Sequence, residues 1–288
     1  MSAITLPTES IGLARPLPRT APPGTLRTLG TLARRRLSLS ARTPREVFVP
    51  LMTPVLFSVV IAPALSSIGP KVPGIDYMSF AAIGTAGLLI PLNCMFAGVG
   101  VMLDRESGAR RDLLAAPIAR PLIVLANLVV ALAITSLQMV ALLTAAVLRG
   151  ANLHVAVSGA SWAVGAAVLL AITMYGVAET LANRVPSLEE FTGLLPVVAI
   201  VPYFFAGSLF PVSALPWALQ GVGRVLPLTH ALALLRYGLL GGNANGLHDI
   251  WGMSSPSTMA ALSLAVVAAF AAAALTLALR TFRRAAVR

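Results

Sequence analysis

The stretch PLIVLANLVVALAITSLQMVALLTAAVL, residues 121–148, decides the fold class. It carries no charged side chain. A helix rises about 1.5 Å per residue, so about 20 apolar residues cross a hydrocarbon core about 30 Å thick. This stretch is long enough, and it lacks the strict alternation of a membrane β-barrel strand. Five more apolar stretches lie around it, at 47–68, 78–103, 159–181, 193–210 and 259–279, the fifth span (193–210) being the shortest. The expected fold is an all-α polytopic membrane protein with six transmembrane helices over residues 47–279. Composition agrees. Of 288 residues, 57% are hydrophobic and 11% charged, with a mean hydropathy of +0.87. A soluble domain carries about 25% charged residues. So few charges cannot cover a globule of this size, which excludes a soluble enzyme. The apolar content excludes a disordered chain.

The net charge is +11, from 21 basic and 10 acidic residues, and Lys71 is the only lysine. A basic excess fits nucleic acid or an anionic membrane face, and position decides between them. With the N-terminus in the cytoplasm, that side holds every basic residue except Lys71, Arg149, Arg224 and Arg236. Both termini are therefore expected in the cytoplasm, as six spans require. A nucleic-acid partner loses its motive, and membrane lipid takes its place. The Arg, Ala, Gly and Pro richness points to GC-rich coding and a bacterial cell membrane.

The flanks and one loop complete the plan. Residues 1–24 are rich in proline and are expected to be a disordered cytoplasmic leader. No apolar core precedes Val47, so the leader is not a secretory signal. Within residues 25–46, Leu26, Leu29, Ala33 and Leu37 recur at helical spacing, with Arg27, Arg34, Arg35 and Arg36 mostly off that stripe. This predicts an amphipathic helix on the membrane surface; the rival is a plain basic flank that only sets topology. Residues 280–288 are expected to be a basic cytoplasmic tail. Residues 211–248 are apolar yet broken by Pro211, Pro216 and Pro227. Segments 213–224 and 228–241 are too short to span and too apolar for a solvated loop. They predict a re-entrant helix pair between spans five and six, carrying Trp217, His230 and Arg236.

Enzyme chemistry is hard to find. There is no G-x-x-x-x-G-K-[ST] phosphate loop and no H-E-x-x-H. Cys94 is the only cysteine, and His154, His230 and His248 are scattered, so no metal site and no catalytic residue is expected. Charged side chains are missing from the middle of every span, with Glu179 near the cytoplasmic end of span four. That absence argues against an ion-driven transporter. The densest polar segment joins spans two and three, from Asp104 to Arg120. Acids lead, bases follow, and Leu113 and Leu114 add an apolar ridge. A short amphipathic helix that docks a protein fits this pattern as well as a solvated loop does.

The stretch D-R-E-S-G-A-R-R-D-L-L-A-A-P-I-A-R, residues 104–120, resembles the signature loop of ABC transporter type-2 permeases. The daunorubicin-resistance-type branch reads E-R-E-x-G-T-L-E-x-L-L-x-T-P-I-x-R. L-F-P-V-S-A-L-P-W-A-L-Q and L-P-L-T-H-A-L-A-L-L-R, residues 209–220 and 226–236, are similar to that branch after its fifth span. Residues 34–46 are similar to its entry into span one. The sequence departs from the pattern at Asp104 and at Arg110-Arg111, where Glu and Leu-Glu are usual. The resemblance implies a half-size permease that pairs with a second permease copy, identical or not, and docks a separate ATPase subunit. The chain itself would bind no cofactor; ATP and Mg belong to that partner. The coupling loop would include Asp104, Arg105, Glu106, Gly108, Arg110, Arg111, Leu114, Pro117 and Arg120, assisted by Glu179, Glu189 and Glu190.

Asn93, Asn127, Gln138, Tyr175 and Tyr203 are the candidates for a substrate path, with the joining of helix to helix by buried amides as the favoured rival. An apolar path suits a drug, antibiotic or lipid carried out of the cell. Export of a polysaccharide or lipid-linked precursor, a scaffold without transport activity and a membrane-embedded enzyme are the alternatives.

Overall fold

The computed structural model describes residues 24–42 and 76–285, with positions 52, 56 and 60 between them. Residues 1–23 of the leader, all but those three positions of the stretch 47–68 read as span one, and the last residues of the tail lie outside the described residues. The described part is helical: α1 Thr25–Arg42, α2 Tyr77–Glu106, α3 Ala109–Ala115, α4 Pro121–Leu148, α5 Val157–Ala182 and α6 Leu188–Ala199. α7 Val201–Phe205, α8 Trp217–Val225, α9 Pro227–Leu239, α10 Asn245–Trp251 and α11 Pro256–Ala285 follow. Among the described residues, α2, α4, α5, α11 and the continuous pair α6–α7 are long and apolar enough to cross a membrane. They coincide with the predicted spans two to six.

Local sequence explains the breaks. Asp76 caps α2 by accepting from the Ser79 amide at 3.4 Å. The span at 193–210 starts earlier than expected, at Leu188, where Ser187 accepts from the Glu190 amide. Its helix is interrupted at Ile200, where Pro202 cannot donate a helical hydrogen bond. Pro227 opens α9 directly after α8, and the two helices meet at 79°. The predicted pair of short helices is therefore present as a sharply bent unit. α11 runs on to Ala285 and carries Arg280, Arg283 and Arg284.

α2 is the centre of the bundle, with 78% of its apolar window buried against 22% for α11. A helix apolar all round belongs inside. Around it pack α4, α5, α6 and α9, and α11 lies along α5. Small residues set the closest approaches. A Cβ on Gly159 of α5 or Gly238 of α9 would strike the other's carbonyl oxygen. α1 lies against α4 and α2. It turns its polar side inward, with Thr28, Arg36 and Ser40 buried and Leu26 and Leu37 exposed.

The helix directions create two ends. The C-termini of α2, α5 and α11 share one end with the N-termini of α4 and α6, as contacts of Arg105 with Ala182 and of Arg110 with Phe282 require. This is the arginine-rich end. The α8–α9 pair lies at the other.

Candidate functional site

At the arginine-rich end, the 104–120 segment is tied to three other parts of the chain. Asp104, in the last turn of α2, sits 3.5 Å from Arg35 and 3.6 Å from Arg36 of α1. Arg36 also donates to the Gly100 carbonyl at 3.2 Å. Its guanidinium occupies the space that any side chain at position 100 would need. Arg105 reaches the end of α5, donating to the carbonyls of Ala182 and Val185, both at 2.9 Å, and of Pro186. A helix C-terminus exposes such carbonyls and carries partial negative charge. Glu106 does the converse, accepting from the Leu188 amide at 3.0 Å where α6 begins. The Arg105–Glu106 dipeptide thus caps one helix end and one helix start.

Gly108 makes the corner. Its φ is +82°, where a side chain would be strained. α3 then folds back. Leu114, with Leu113 and Ile118, packs against the main apolar core. Arg110 is buried, and its guanidinium lies 4.7 Å from the centre of the Phe282 ring on α11. Burial lowers its pKa, and the Glu179 carboxylate opposes that shift. Arg111, Asp112, Pro117 and Arg120 are exposed, and so are Arg184, Glu189 and Glu190 across the same end. Arg111 and Asp112 make no side-chain hydrogen bond or ion pair among the described residues. The sequence reading treated Asp104, Arg105, Glu106, Arg110 and Arg111 alike. The structure divides them into internal ties and an outward face.

Glu179 is fully buried rather than presented with Glu189 and Glu190. It accepts from the Tyr175 hydroxyl and from the Asn183 amide, both at 2.9 Å. Asn93 of α2 donates to the Thr135 hydroxyl and, at 3.4 Å, to the Ala131 carbonyl of α4. Tyr175 also lies 3.2 Å from the Val124 carbonyl of α4. Asn93 and Tyr175 therefore join helices. Gln138 and Tyr203 are buried, and Asn127 is half-buried beside Asn93. These five positions do not gather around one cavity. The principal apolar cleft, of about 240 Å³, opens between α4 and α5 and is floored by Leu235 and Leu239 of α9. Of the five, none is among its lining residues, which include Met139, Leu143, Ala163 and Ala167. A run of small residues on α5 facing larger ones on α4 was its signal in the sequence.

At the opposite end, Arg236 of α9 is buried and donates to the Gly207 carbonyl at 2.7 Å and the Ser208 carbonyl at 3.0 Å. Its guanidinium lies 3.5 Å from the centre of the Phe80 ring. His230 Nε2 faces the Arg224 carbonyl at 2.9 Å, so that nitrogen carries the proton. Nδ1 then accepts from Ser263 of α11 at 3.1 Å, and Ser263 accepts from the Trp251 indole at 2.8 Å. Pro211, Pro216 and Pro227 each stand at a helix start, and Trp217 is 87% exposed.

These features match a known family along most of the chain: residues 27–240 fit the ABC-2 type transporter family. The chain belongs to that family. It is a membrane component of an ABC transporter, the permease rather than the ATPase, and membership implies an ATPase subunit as partner. The chain is 23% identical to Nodulation protein J of Rhizobium leguminosarum bv. viciae over 224 residues, 77% of this chain and 85% of that protein. It is 41% identical to Nodulation protein J of Rhizobium meliloti (strain 1021) over 56 residues, 19% of this chain and 21% of that protein's length.

Proposed function

We propose that this ABC-2 permease exports a hydrophobic or amphipathic compound across a bacterial cell membrane, working as a pair with a second permease copy. ATP is hydrolysed on a separate subunit docked at the arginine-rich end. That end faces the cytoplasm in this reading, with both termini on the same side. The observation that carries it is the α2–α3 corner. Asp104, Arg105 and Glu106 hold the corner on α1, α5 and α6, and α3 presents Arg111 and Asp112 outward without a side-chain partner among the described residues. A rigid corner with an unpaired charged face suits the transmission of force from a partner. α1, with Leu26 and Leu37 exposed, suits the membrane surface beside it.

The cargo class follows from polarity. Asn93 and Tyr175 bond to neighbouring helices, and the cleft between α4 and α5 is apolar. An amphipathic drug or lipid fits such walls better than a charged polymer does. Trp217 at the start of α8 suits the outer headgroup level, with the α8–α9 pair re-entrant beside the exit.

The test is co-purification with the ATPase encoded beside this chain, followed by ATPase assays in lipid. Arg111→Glu with Asp112→Arg should fold normally and weaken association or uncouple the ATPase. An unmodified chain that associates with no ATPase refutes the exporter reading and favours a scaffold.

A further inference from the structure

At the end of the bundle away from the 104–120 corner, a cavity of about 220 Å³ opens beside the start of α5. It is bounded by the loop before α5, the first turns of that helix and the turn that follows α9. Backbone bonds fix its rim. His154 donates its amide to the Leu239 carbonyl at 2.9 Å and accepts from the Gly241 amide at 2.9 Å. The Gly242 amide reaches the Tyr237 carbonyl at 3.1 Å. Gly241 and Gly242 have φ of +64° and +83°, which lets the chain turn so tightly there. Trp162 and Tyr237 form a corner of the wall, their ring centroids 6.4 Å apart and their planes at 67°. The polar groups beside them are uncommitted. Among the described residues, the Trp162 indole N–H, the Tyr237 and Ser158 hydroxyls and the His154 ring make no hydrogen bond. Ala156 gives α5 no side-chain cap, so the first amides of that helix lack acceptors. No Arg, Lys, Asp or Glu lines the cavity.

We propose that this cavity binds one neutral sugar ring. Its size fits. Water takes about 30 Å³ per molecule, and pockets for drug-sized ligands run to about 300–1,000 Å³. The cavity is too large for an ion and too small for a drug-sized compound, and it holds a single small ring. Its chemistry fits as well. A sugar ring has a face of C–H groups that packs on an aromatic side chain, and a rim of hydroxyls that donate and accept. The Trp162–Tyr237 corner takes the face. The hydroxyls meet Ser158, His154 and the open amides of α5. A cationic head group would find the rings but no carboxylate to balance it. An anion would find the helix start but no arginine or lysine, and two rings would cost it hydration. The ring could be a free saccharide or the glycosyl head of a lipid, and the site stands apart from the exporter reading.

The experiment uses the full chain in nanodiscs of phosphatidylethanolamine and phosphatidylglycerol. The probes are the methyl glycosides of glucose, galactose, mannose and N-acetylglucosamine, read by saturation-transfer NMR. Glucosyl diacylglycerol, added to the lipid and read by its retention on the purified chain, is the lipid arm. At least one probe should bind. Glycoside binding identifies a free sugar as sufficient, and retention of the glycolipid alone identifies a lipid head group. Trp162→Ala should weaken binding at least about tenfold, as the loss of an aromatic anchor does. Ser158→Phe fills the cavity from an exposed position and should abolish binding at an unchanged melting temperature, so the test holds even where Trp162→Ala fails to fold. Inorganic phosphate should not displace the bound probe. Three results overturn the proposal: no probe binds, binding persists in Ser158→Phe, or phosphate displaces the sugar.

Discussion

Arg105 and Arg236 do the same chemical task at opposite ends of the bundle. Each donates to backbone carbonyls where a helix stops: Ala182, Val185 and Pro186 for Arg105, Gly207 and Ser208 for Arg236. Their surroundings differ. Arg105 is half-buried beside exposed charges, whereas Arg236 is 6% exposed and stacked on Phe80. Water can replace the half-buried Arg105 on its carbonyls more readily than it can replace the buried Arg236. One arginine fixes the surface proposed to receive a partner. The other makes a bent helix pair possible where backbone must be satisfied from within.

The comparison breaks hardest at Arg236. Arg236→Leu strands two buried carbonyls at about 1–3 kcal/mol each, a large share of a total stability of about 5–15 kcal/mol. Little folded protein should survive detergent extraction. Arg236→Lys keeps the charge but loses the planar fork, and should melt between native and Arg236→Leu. If Arg236→Leu melts with the native protein, the bent pair is held by packing alone.

Packing at that end supplies the next effect. Gly238→Val puts methyl groups into the Gly159 carbonyl and the Ala163 backbone. Overpacking of this kind costs about 1–3 kcal/mol. The melting temperature should fall less than for Arg236→Leu, and Gly159→Val should give a similar fall. Two unequal falls would mean that one helix gives way more easily than the other.

Arg105→Ala should cost less stability, about 1 kcal/mol, because water replaces it more readily. Its larger consequence should be functional. With α5 and the start of α6 released from the corner, ATPase stimulation by the permease should drop at nearly unchanged melting temperature. A variant that loses stability as severely as Arg236→Leu would erase the distinction between the two ends.

Spans two to six were legible because apolar runs of this length have few other uses, and Pro227 marked the sharp bend between α8 and α9. The 104–120 segment stood out in the sequence by its charge pattern and its family resemblance. The roles within it were not legible. Arg105 meets carbonyls about 80 residues away, Asp104 meets an α1 arginine about 70 residues earlier, and Glu106 meets an amide after α5. Local spacing carries no trace of such partners, so five charged residues looked alike. Glu179 looked like a helix-end acid because its burial depends on helices distant in sequence packing around α5. Asn93 bonds to α4, as the helix-joining reading of the buried amides expects. A side chain's type says that it must bond, and only the fold says with what.

Glu106 yields the smallest effect and the sharpest division between cap and contact. Its carboxylate accepts from the Leu188 amide at the start of α6, where negative charge is worth about 0.3–1 kcal/mol. Glu106→Gln keeps an accepting oxygen in place and removes only the charge. A cap should tolerate that change, with the melting temperature slightly lowered and ATPase binding intact. Glu106→Ala removes the acceptor as well and should lower the melting temperature further. If the negative charge instead meets a basic partner, Glu106→Gln weakens ATPase binding while stability holds. That outcome would move Glu106 from the internal ties to the outward face with Arg111 and Asp112, leaving Arg105 as the chief bond between the corner and α5.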